Sequence, residues 1–413
     1  MADRIIYQSE SLFVSKLQGS GASNQIVSAD IKEINRVQDM SYNLEVTRTD
    51  INEFGQLAAL SREVTEPPTV TLDFSYYLTD GTQEVALGFN KNDTSTFPVS
   101  SATPMTKQLL DGTNDFDELN YYIITTAEGT DVHGSTIAGA NNGCIGIGNG
   151  FITSYGITAA VGELATATVS VEASNILFKN DLTSAHSNPA IDIDSTVGAK
   201  LTNTVNWSSV TSSDGDITVG GSELFAIRPG DITLDFDADG YFTNYEAQGN
   251  LQTGGAILPG EGATSPTKTA VNIQNVSLDI PVGRSALTRL GNHYPFARKV
   301  DFPVNMTLTA SALMTDFADG SLDALLCSGE SKRDIAITMN DRCGTNRAVT
   351  YVMRNAILDT QAFSASIGDN KTVDLTFSAQ IGGANDSENG IFLFSEPTNT
   401  PTLYQSTAIT PTP

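Results

Sequence analysis

The sequence predicts an all-β, mainly antiparallel protein with two duplicated β-sandwich or barrel domains, a few short helices and a β-rich central insertion. Three observations lead to this fold class. Ten short runs alternate apolar and polar residues and are rich in Val, Ile, Thr and aromatics, among them TVTLDFSYYL, TATVSVEA and TVDLTFSAQI. Turn-forming clusters such as DADG and PGEG separate the runs. The third observation is that part of the chain repeats.

The repeat joins residues 37–75 to residues 273–311 without a gap. Eleven of these 39 positions are identical, against about two or three expected from ordinary residue frequencies. A second stretch, 145–173, matches 351–379 with five identities and the same alternation of apolar positions. The offset falls from 236 to 206 residues, so the first copy carries about thirty extra residues. Their Gly-, Asn- and Thr-rich part, with the region 126–150, predicts a long loop that orders only on assembly.

The repeat and the local composition divide the chain into five predicted segments. They are an N-terminal arm at 1–34, the first copy at 35–178, a β-rich central insertion or linker at 179–269, the second copy at 270–396, and an extended C-terminal arm at 397–413.

Short helices are predicted where capping residues precede apolar ones. Asp50 followed by Glu53 predicts a helix over INEFGQLAAL, and Ser285 caps its counterpart, ALTRL. Gly55 and Gly291 follow at matching positions, which predicts a positive φ at both. Two further helices are predicted over 103–112 and 321–329.

The charge balance restricts the classes of partner. The chain has 48 acidic and 22 basic residues, a net charge of −26. Direct nucleic-acid binding is disfavoured, because phosphate contacts need Lys and Arg. Acidic walls that keep DNA from adhering remain compatible with this balance, as does an ordinary acidic surface.

The sequence also predicts where the protein is made. The start lacks the pattern of a secretory signal, and no apolar run reaches the ~20 residues of a membrane helix. The three cysteines have neither zinc-site nor disulfide spacing. We therefore expect assembly in a cytoplasm and no membrane partner.

One loop carries a possible metal motif. In DFDADGYFTNYE, Asp235, Asp237, Asp239 and Glu246 occupy positions 1, 3, 5 and 12 of a calcium loop. The flanking residues resemble strands rather than the helices of an EF-hand, so a β-hairpin with the tip DADG is favoured over calcium. No cofactor is predicted, with calcium as the alternative.

Residues typical of catalysis are scattered. His133, His186 and His293 belong to no recognisable motif, and the chain lacks nucleophile-elbow, zinc-protease and phosphate-loop patterns. We therefore expect no enzymatic activity.

Four arginines recur in both copies. Arg48 matches Arg284, and Arg62 matches Arg298. They are candidates for anchoring loops or subunits through carboxylates, with ordinary surface ion pairs as the alternative.

Two stretches resemble a known family. Residues 43–84 (NLEVTRTDINEFGQLAALSREVTEPPTVTLDFSYYLTDGTQE) look like the early segment of phage tail tube proteins, and FAIRPGDITLDF at 225–236 is similar to such proteins as well. The resemblance implies tube domains assembled into stacked rings around a DNA channel, together with other tail proteins. Two tandem tube domains imply a homo-oligomer of three chains with pseudo-sixfold symmetry, located in the virion tail and assembled in the host cytoplasm. DNA would pass without specific binding.

Under this resemblance, acids on the alternate face of long strands line the lumen, and Asp73, Asp235 and Asp279 are the candidates. Two alternatives stay open. One is another β-rich assembly protein, such as a contractile injection tube, a capsid or a surface-layer component. The other is a calcium-dependent carbohydrate-binding β-sandwich, against which the single tryptophan, Trp207, counts.

Overall fold

The structure is a computed structural model that describes residues 10–93, 102–110, 117–127, 129–192, 201–212, 218–219, 222–223, 226–235, 272–291, 294–313, 332–340, 347–364 and 372–395. It confirms the all-β class. The helices are α1 Thr82–Ala86 and α2 Lys107–Leu110, and short 3-10 turns lie at Ala22–Asn24, Ser28–Asp30 and Pro229–Asp231. The strands are β1 Glu10–Lys16, β2 Ile31–Ile34, β3 Val37–Glu45, β4 Arg48–Ile51, β5 Ser61–Val64, β6 Thr69–Tyr77, β7 Lys91–Asp93, β8 Leu119–Thr125, β9 Gly143–Ala160, β10 Thr166–Ala173, β11 Asn175–Asn180, β12 His186–Ser187, β13 Thr204–Val205, β14 Thr218–Val219, β15 Ser222–Glu223, β16 Ile232–Asp235, β17 Asn272–Pro281, β18 Arg284–Leu287, β19 Ala297–Val300, β20 Val304–Leu313, β21 Arg333–Asn340, β22 Arg347–Ser364, β23 Thr372–Ile381 and β24 Gly390–Ser395.

Eight strands form one continuous antiparallel layer, which we call the main sheet. Its order is β3-β6-β10-β9-β17-β20-β23-β22. The first four strands come from the first repeat and the last four from the second, so the two repeats are joined by hydrogen bonds between β9 and β17. Each repeat therefore contributes half of one sheet rather than a closed sheet of its own.

The two 18-residue strands, β9 and β22, bend from the main sheet into a second layer, which we call the outer layer. The first part of β9 pairs with β8 and β11, and the first part of β22 pairs with β21 and β24. At matching positions along these strands, Asn149 and Asn355 have φ values of 57° and 55°. Asparagine tolerates this left-handed conformation better than most residues. The bends thus occur at the same place in both repeats.

Strand pairing recurs in register between the repeats. The bulge that skips Gln38 in β3–β6 recurs at Gln274 in β17–β20. A second bulge, at Thr153 in β9–β10, recurs at Asp359 in β22–β23. The sequence offsets of 236 and 206 therefore hold for backbone pairing as well as for residue type. The division of the chain into five domains and arms stays a prediction.

The predicted helices over 51–60 and 286–290 are wrong. Both segments belong to β-hairpins, which we call hairpin 1 (48–64) and hairpin 2 (284–300). The amide of Leu60 donates to Ile51 at 2.8 Å, and the amide of Phe296 donates to Leu287 at 2.9 Å. Cross-strand pairing thus prevails over the local capping signal.

The positive φ predicted for the two glycines near the hairpin tips is confirmed, at 98° for Gly55 and 91° for Gly291. Of the two further helices, the one predicted at 103–112 is present as α2. The one at 321–329 lies outside the described residues.

The extra residues of the first copy are not one long loop. They include α1, β7 and α2, and β7 pairs in parallel with β24 of the second repeat. Around the Gly-rich stretch, Val132 and Ile137 are buried with Trp207 in a separate cluster on the outer layer. The prediction that 126–150 orders only on assembly is therefore wrong, because apolar side chains already hold it in the single chain.

The described part of the N-terminal segment is also folded. Strand β1 pairs with both β2 and β8. The apolar residues Leu12 and Val14 point into the main core, and Phe13 points into the Trp207 cluster. The described residues 10–34 of the predicted N-terminal arm thus pack into the outer layer. The C-terminal arm at 397–413 lies outside the described residues.

Candidate functional site

The main sheet has one apolar and one polar face because its side chains alternate. Leu72 and Phe74 are buried on one side, while Asp73 between them is exposed on the other. The registers place further acids on the polar face, namely Asp39, Glu45, Glu172, Asp279 and Asp374. No lysine or arginine occurs in β3, β6, β9, β10, β17, β20 or β23, or in residues 355–364 of β22. The strands of this polar face therefore contribute only acidic charges, and Arg298 of the segment after β17 pairs with one of them, Glu172.

Two of the three predicted lumen residues lie on this face. Asp73 opposes Ser41 and Ser170, and Asp279 opposes Gly156 and Thr307. The third, Asp235, ends β16, which pairs with β21 in the outer layer rather than in the main sheet. The structure thus brings Asp73 and Asp279 onto one surface and separates the backbone of Asp235 from it.

The calcium motif is not covered by the structure. Asp237, Asp239 and Glu246 lie outside the described residues, and only the backbone of Asp235 is described. Among the described residues, no group of three or more His, Cys, Asp or Glu side chains is placed to hold a metal ion.

The junction of β9 with β17, which we call the inner joint, buries apolar side chains from both repeats. Leu278 opposes Ile157, and Ile280 opposes Tyr155. All four are at most 1% exposed. Cross-strand apolar pairs of this kind stabilise a sheet and fix its register. The two repeats are therefore held together by core packing as well as by backbone hydrogen bonds.

Hairpin 2 is anchored across the inner joint by two of the predicted arginines. Arg298 forms a salt bridge with Glu172 of β10, and its side chain is 5% exposed. Arg284 donates to the carbonyl oxygen of Leu109 at 3.0 Å. Both guanidinium groups lie over the ring of Phe151, at 5.1 Å for Arg284 and 5.9 Å for Arg298. These contacts join hairpin 2 of the second repeat to the first repeat.

Hairpin 1 has no such anchor among the described residues. Arg62 pairs with Asp50 of the same hairpin at 2.7 Å, and both side chains are largely exposed, at 70% and 44%. Arg48 opposes Val64 and is exposed. The two copies of the arginine pair thus have different surroundings, although the sequence makes them equivalent.

A carboxyl group near the arginines has a strongly shifted pKa. Burial raises the pKa of Glu118 to about 7, although Asn149 and the charges of Arg298 and Arg284 oppose the shift. Asn149 donates to Glu118 at 2.5 Å. Burial also lowers the pKa of Arg284. Two ionisable groups beside the inner joint, Glu118 and Arg284, are therefore largely withdrawn from water.

A second polar cluster connects the repeats inside the core. The carboxylate of Glu84, on α1, accepts from Tyr76 at 2.8 Å and from Tyr155 at 2.9 Å. The hydroxyl of Tyr351, from the second repeat, lies 3.1 Å from that of Tyr155. Burial raises the pKa of Glu84. No sequence motif marks this cluster, because its members come from four separate elements.

One group of side chains has the residue types of a hydrolase triad. Ser212 Oγ lies 3.0 Å from His133 Nδ1 and donates to Glu33 at 2.6 Å, while the same His133 nitrogen lies 3.4 Å from Glu33. A triad needs the two ring nitrogens to face different partners. Here one nitrogen faces both, which suits a structural role. His186 also has a structural role, because its Nε2 accepts a hydrogen bond from the indole of Trp207 at 2.8 Å beside the Trp207 cluster.

No family model and no curated protein matches the chain. Matches among solved structures include the tube-terminating cap of the anti-feeding prophage (11% identity, 44% of this chain, 95% of that chain, TM-score 0.25). Others are the SPP1 tail tube (8%, 43%, 80%, 0.26) and the sheath/tube terminator of the PVC extracellular contractile injection system (15%, 32%, 97%, 0.23). These alignments are too partial to establish a shared fold. No helix in the described part of the chain is long and apolar enough to cross a membrane.

Proposed function

We propose that this protein is a structural subunit of a phage tail tube. Copies join into rings, the rings stack into a tube, and the polar face of the main sheet lines the lumen. One observation carries the proposal: the two repeats form a single continuous sheet with an acidic face whose strands lack lysine and arginine. A sheet of this kind can be extended by further copies and can enclose a channel with a single sign of charge.

The acidic face suits DNA as a passenger rather than as a ligand. DNA carries one negative charge per ~1.7 Å of its axis, so basic walls would retain it by releasing counterions. Asp73 and Asp279 would repel the phosphates and keep the passage free of adhesion. Asp235 remains a candidate lumen residue on sequence grounds alone.

The duplicated architecture favours three chains per ring, because each chain supplies two equivalent units and three chains give pseudo-sixfold symmetry. The hairpins extend large apolar side chains into solvent, including Phe54, Leu57 and Leu290. These would contact neighbouring rings or other tail proteins. The assembled location is the virion tail, with assembly in the host cytoplasm, no catalytic role and no required cofactor.

Electron microscopy of the purified full chain at high concentration tests the proposal. We expect hollow tubes of stacked rings, and native mass measurement of single rings should give three chains. Rings of six chains would contradict the proposed three chains per ring but would remain consistent with assembly into a tube. Flat sheets or closed shells would contradict the tube and favour another β-rich assembly protein, and chelator-sensitive glycan binding would favour the carbohydrate-binding alternative.

A further inference from the structure

The two outer edges of the main sheet have the same strand types as the inner joint. Strand β3 lies at one end of the main sheet and is the counterpart of β17. Residues 355–364 of β22 lie at the other end and are the counterpart of the second half of β9. In the described chain, β3 pairs only with β6, and this part of β22 pairs only with β23. The strand at each end of the sheet thus has one neighbouring strand among the described residues, whereas its counterpart in the inner joint has a neighbour on both sides.

Side-chain exposure differs sharply between the edges and the inner joint. Tyr42 and Leu44 of β3 are 42% and 47% exposed, whereas their counterparts Leu278 and Ile280 are at most 1% exposed. Phe363 of β22 is 51% exposed, whereas its counterpart Ile157 is 1% exposed. Large apolar side chains on an edge strand are a liability in an isolated molecule. Such exposed apolar side chains are typical of an edge strand that another chain covers in the assembled protein.

We propose that β3 of one chain pairs antiparallel with residues 360–364 of β22 in a second copy, in the register of the inner joint. Applying the offsets of 236 and 206 to the β17–β9 register places Tyr42 opposite Phe363 and Leu44 opposite Gln361. Because the two edges differ, the contact is heterologous and closes into a ring or continues as a helix. This inference rests on the proposed function for the biological role of the contact, but not for its geometry.

This contact between chains, which we call the outer seam, differs chemically from the inner joint. The position of Glu172 in the inner joint is occupied by Ser378, and that of Phe151 by Ile357. The arginine equivalent to Arg298 is Arg62, which already pairs with Asp50 within hairpin 1. The outer seam therefore lacks the buried arginine–carboxylate anchor and relies on apolar and backbone contacts.

The chemistry of the seam predicts how assembly responds to salt. Each chain has a net charge of −26, so copies repel one another at low ionic strength. Salt screens that repulsion and leaves apolar burial intact. We therefore expect association to strengthen as salt rises, whereas a seam held by exposed ion pairs would weaken.

Four double-cysteine variants test the register, in a full chain with Cys144, Cys327 and Cys343 replaced by serine. Y42C/F363C and L44C/Q361C are in the proposed register, and Y42C/Q361C and L44C/F363C are each displaced by two residues. Directly opposed residues meet the distance that a disulfide needs, and diagonal ones lie at or beyond its limit. We expect the first two to form interchain disulfides at least about ten-fold faster than the displaced pairs. Single-cysteine variants and circular dichroism under reducing conditions are the controls.

Each outcome decides the proposal. Faster crosslinking of a displaced pair, or equal rates in all four, would overturn the register. Normal tubes without crosslinks would contradict the outer seam but would leave the proposed tube function supported. In-register crosslinks in closed rings that never stack would support the seam and contradict the tube. Chains that neither crosslink nor assemble at high concentration and salt would overturn both.

Discussion

At the scale of single residues, the inner joint combines buried charge with apolar contact. Arg298 and Glu172 form a salt bridge that is largely removed from water, and Arg284 donates to a backbone oxygen beside it. Glu118 lies near both arginines and is raised in pKa by burial. Removing one member of such a group is costly because the remaining charge stays desolvated. The joint is therefore sensitive to the ionisation of individual side chains.

The raised pKa of Glu118 predicts a pH-dependent stability. An acid with a folded-state pKa of about 7 is protonated in the folded chain and ionised in the unfolded chain between pH 5 and 7. Its contribution is therefore present at low pH and is lost as pH rises through about 7. Relative to Glu118→Gln, the wild-type chain should lose at most about 3 kcal/mol between pH 5 and pH 8.

Urea unfolding of the unassembled chain at several pH values measures this difference. Glu163→Gln, in an exposed turn, is the control and should follow the wild-type profile. Parallel profiles for Glu118→Gln and wild type would contradict the assignment of the raised pKa to this carboxyl group.

At the scale of elements, the two hairpins show how identical positions acquire different roles. Hairpin 2 lies against the first repeat through Arg284 and Arg298, while hairpin 1 makes no corresponding contact in the described chain. The strand bounds, the tip glycines and the arginines are equivalent in sequence. Hairpin 2 packs against a neighbouring repeat, and hairpin 1 has no such neighbour in the described chain, so we expect hairpin 1 to contact another chain on assembly.

A pair of matched substitutions tests this difference. Arg298→Met leaves Glu172 unpaired beside a partly buried surface and should destabilise the unassembled chain by about 2–4 kcal/mol. Arg62→Met, at the equivalent position, breaks an exposed ion pair and should change stability by no more than about 1 kcal/mol. Denaturant unfolding below the concentration of assembly measures both. Similar losses from the two variants would refute the anchoring role of Arg298.

At the scale of the whole molecule, the main sheet is the basis of both the proposed association of copies and the proposed charge of the channel. Its core spans both repeats without interruption, since residues of β6, β9, β20 and β22 belong to one cluster. Its polar face brings together acids that are far apart in the chain. The strands of the sheet thus contribute only negative charge to this face, as the proposed DNA channel needs.

Charge reversal on that wall tests the role of the polar face. Tubes of the wild-type chain should not retain DNA in co-sedimentation at low salt. Tubes of Asp73→Lys/Asp279→Lys should retain it, because phosphates release counterions to lysine, and the retention should fall steeply as salt rises. The control, Glu66→Lys/Glu163→Lys, changes the same number of exposed charges outside the strands of the main sheet. Equal retention by the two variants would show that net charge, not the polar face, controls DNA.

The sequence by itself determined the strand class, the repeat and the two faces of the main sheet. Alternation with a period of two is a local property, so the sequence alone already places Asp73 on the other face of the sheet from Leu72 and Phe74. The tip glycines were also predictable, because a positive φ is a local requirement. Long-range pairing was not predictable: capping signals at Asp50 and Ser285 indicated helices, yet cross-strand hydrogen bonds made hairpins.

Tertiary structure alone decided which equivalent residues became partners. Arg298 reaches Glu172 across 126 residues of sequence, and β7 of the first repeat completes the outer layer of the second. The pairing of β9 with β17 buries one set of apolar residues and leaves the equivalent set at the edges exposed. A repeated sequence specifies equivalent strands, but only their order in the sheet determines which strand has a neighbour, and burial depends on that neighbour.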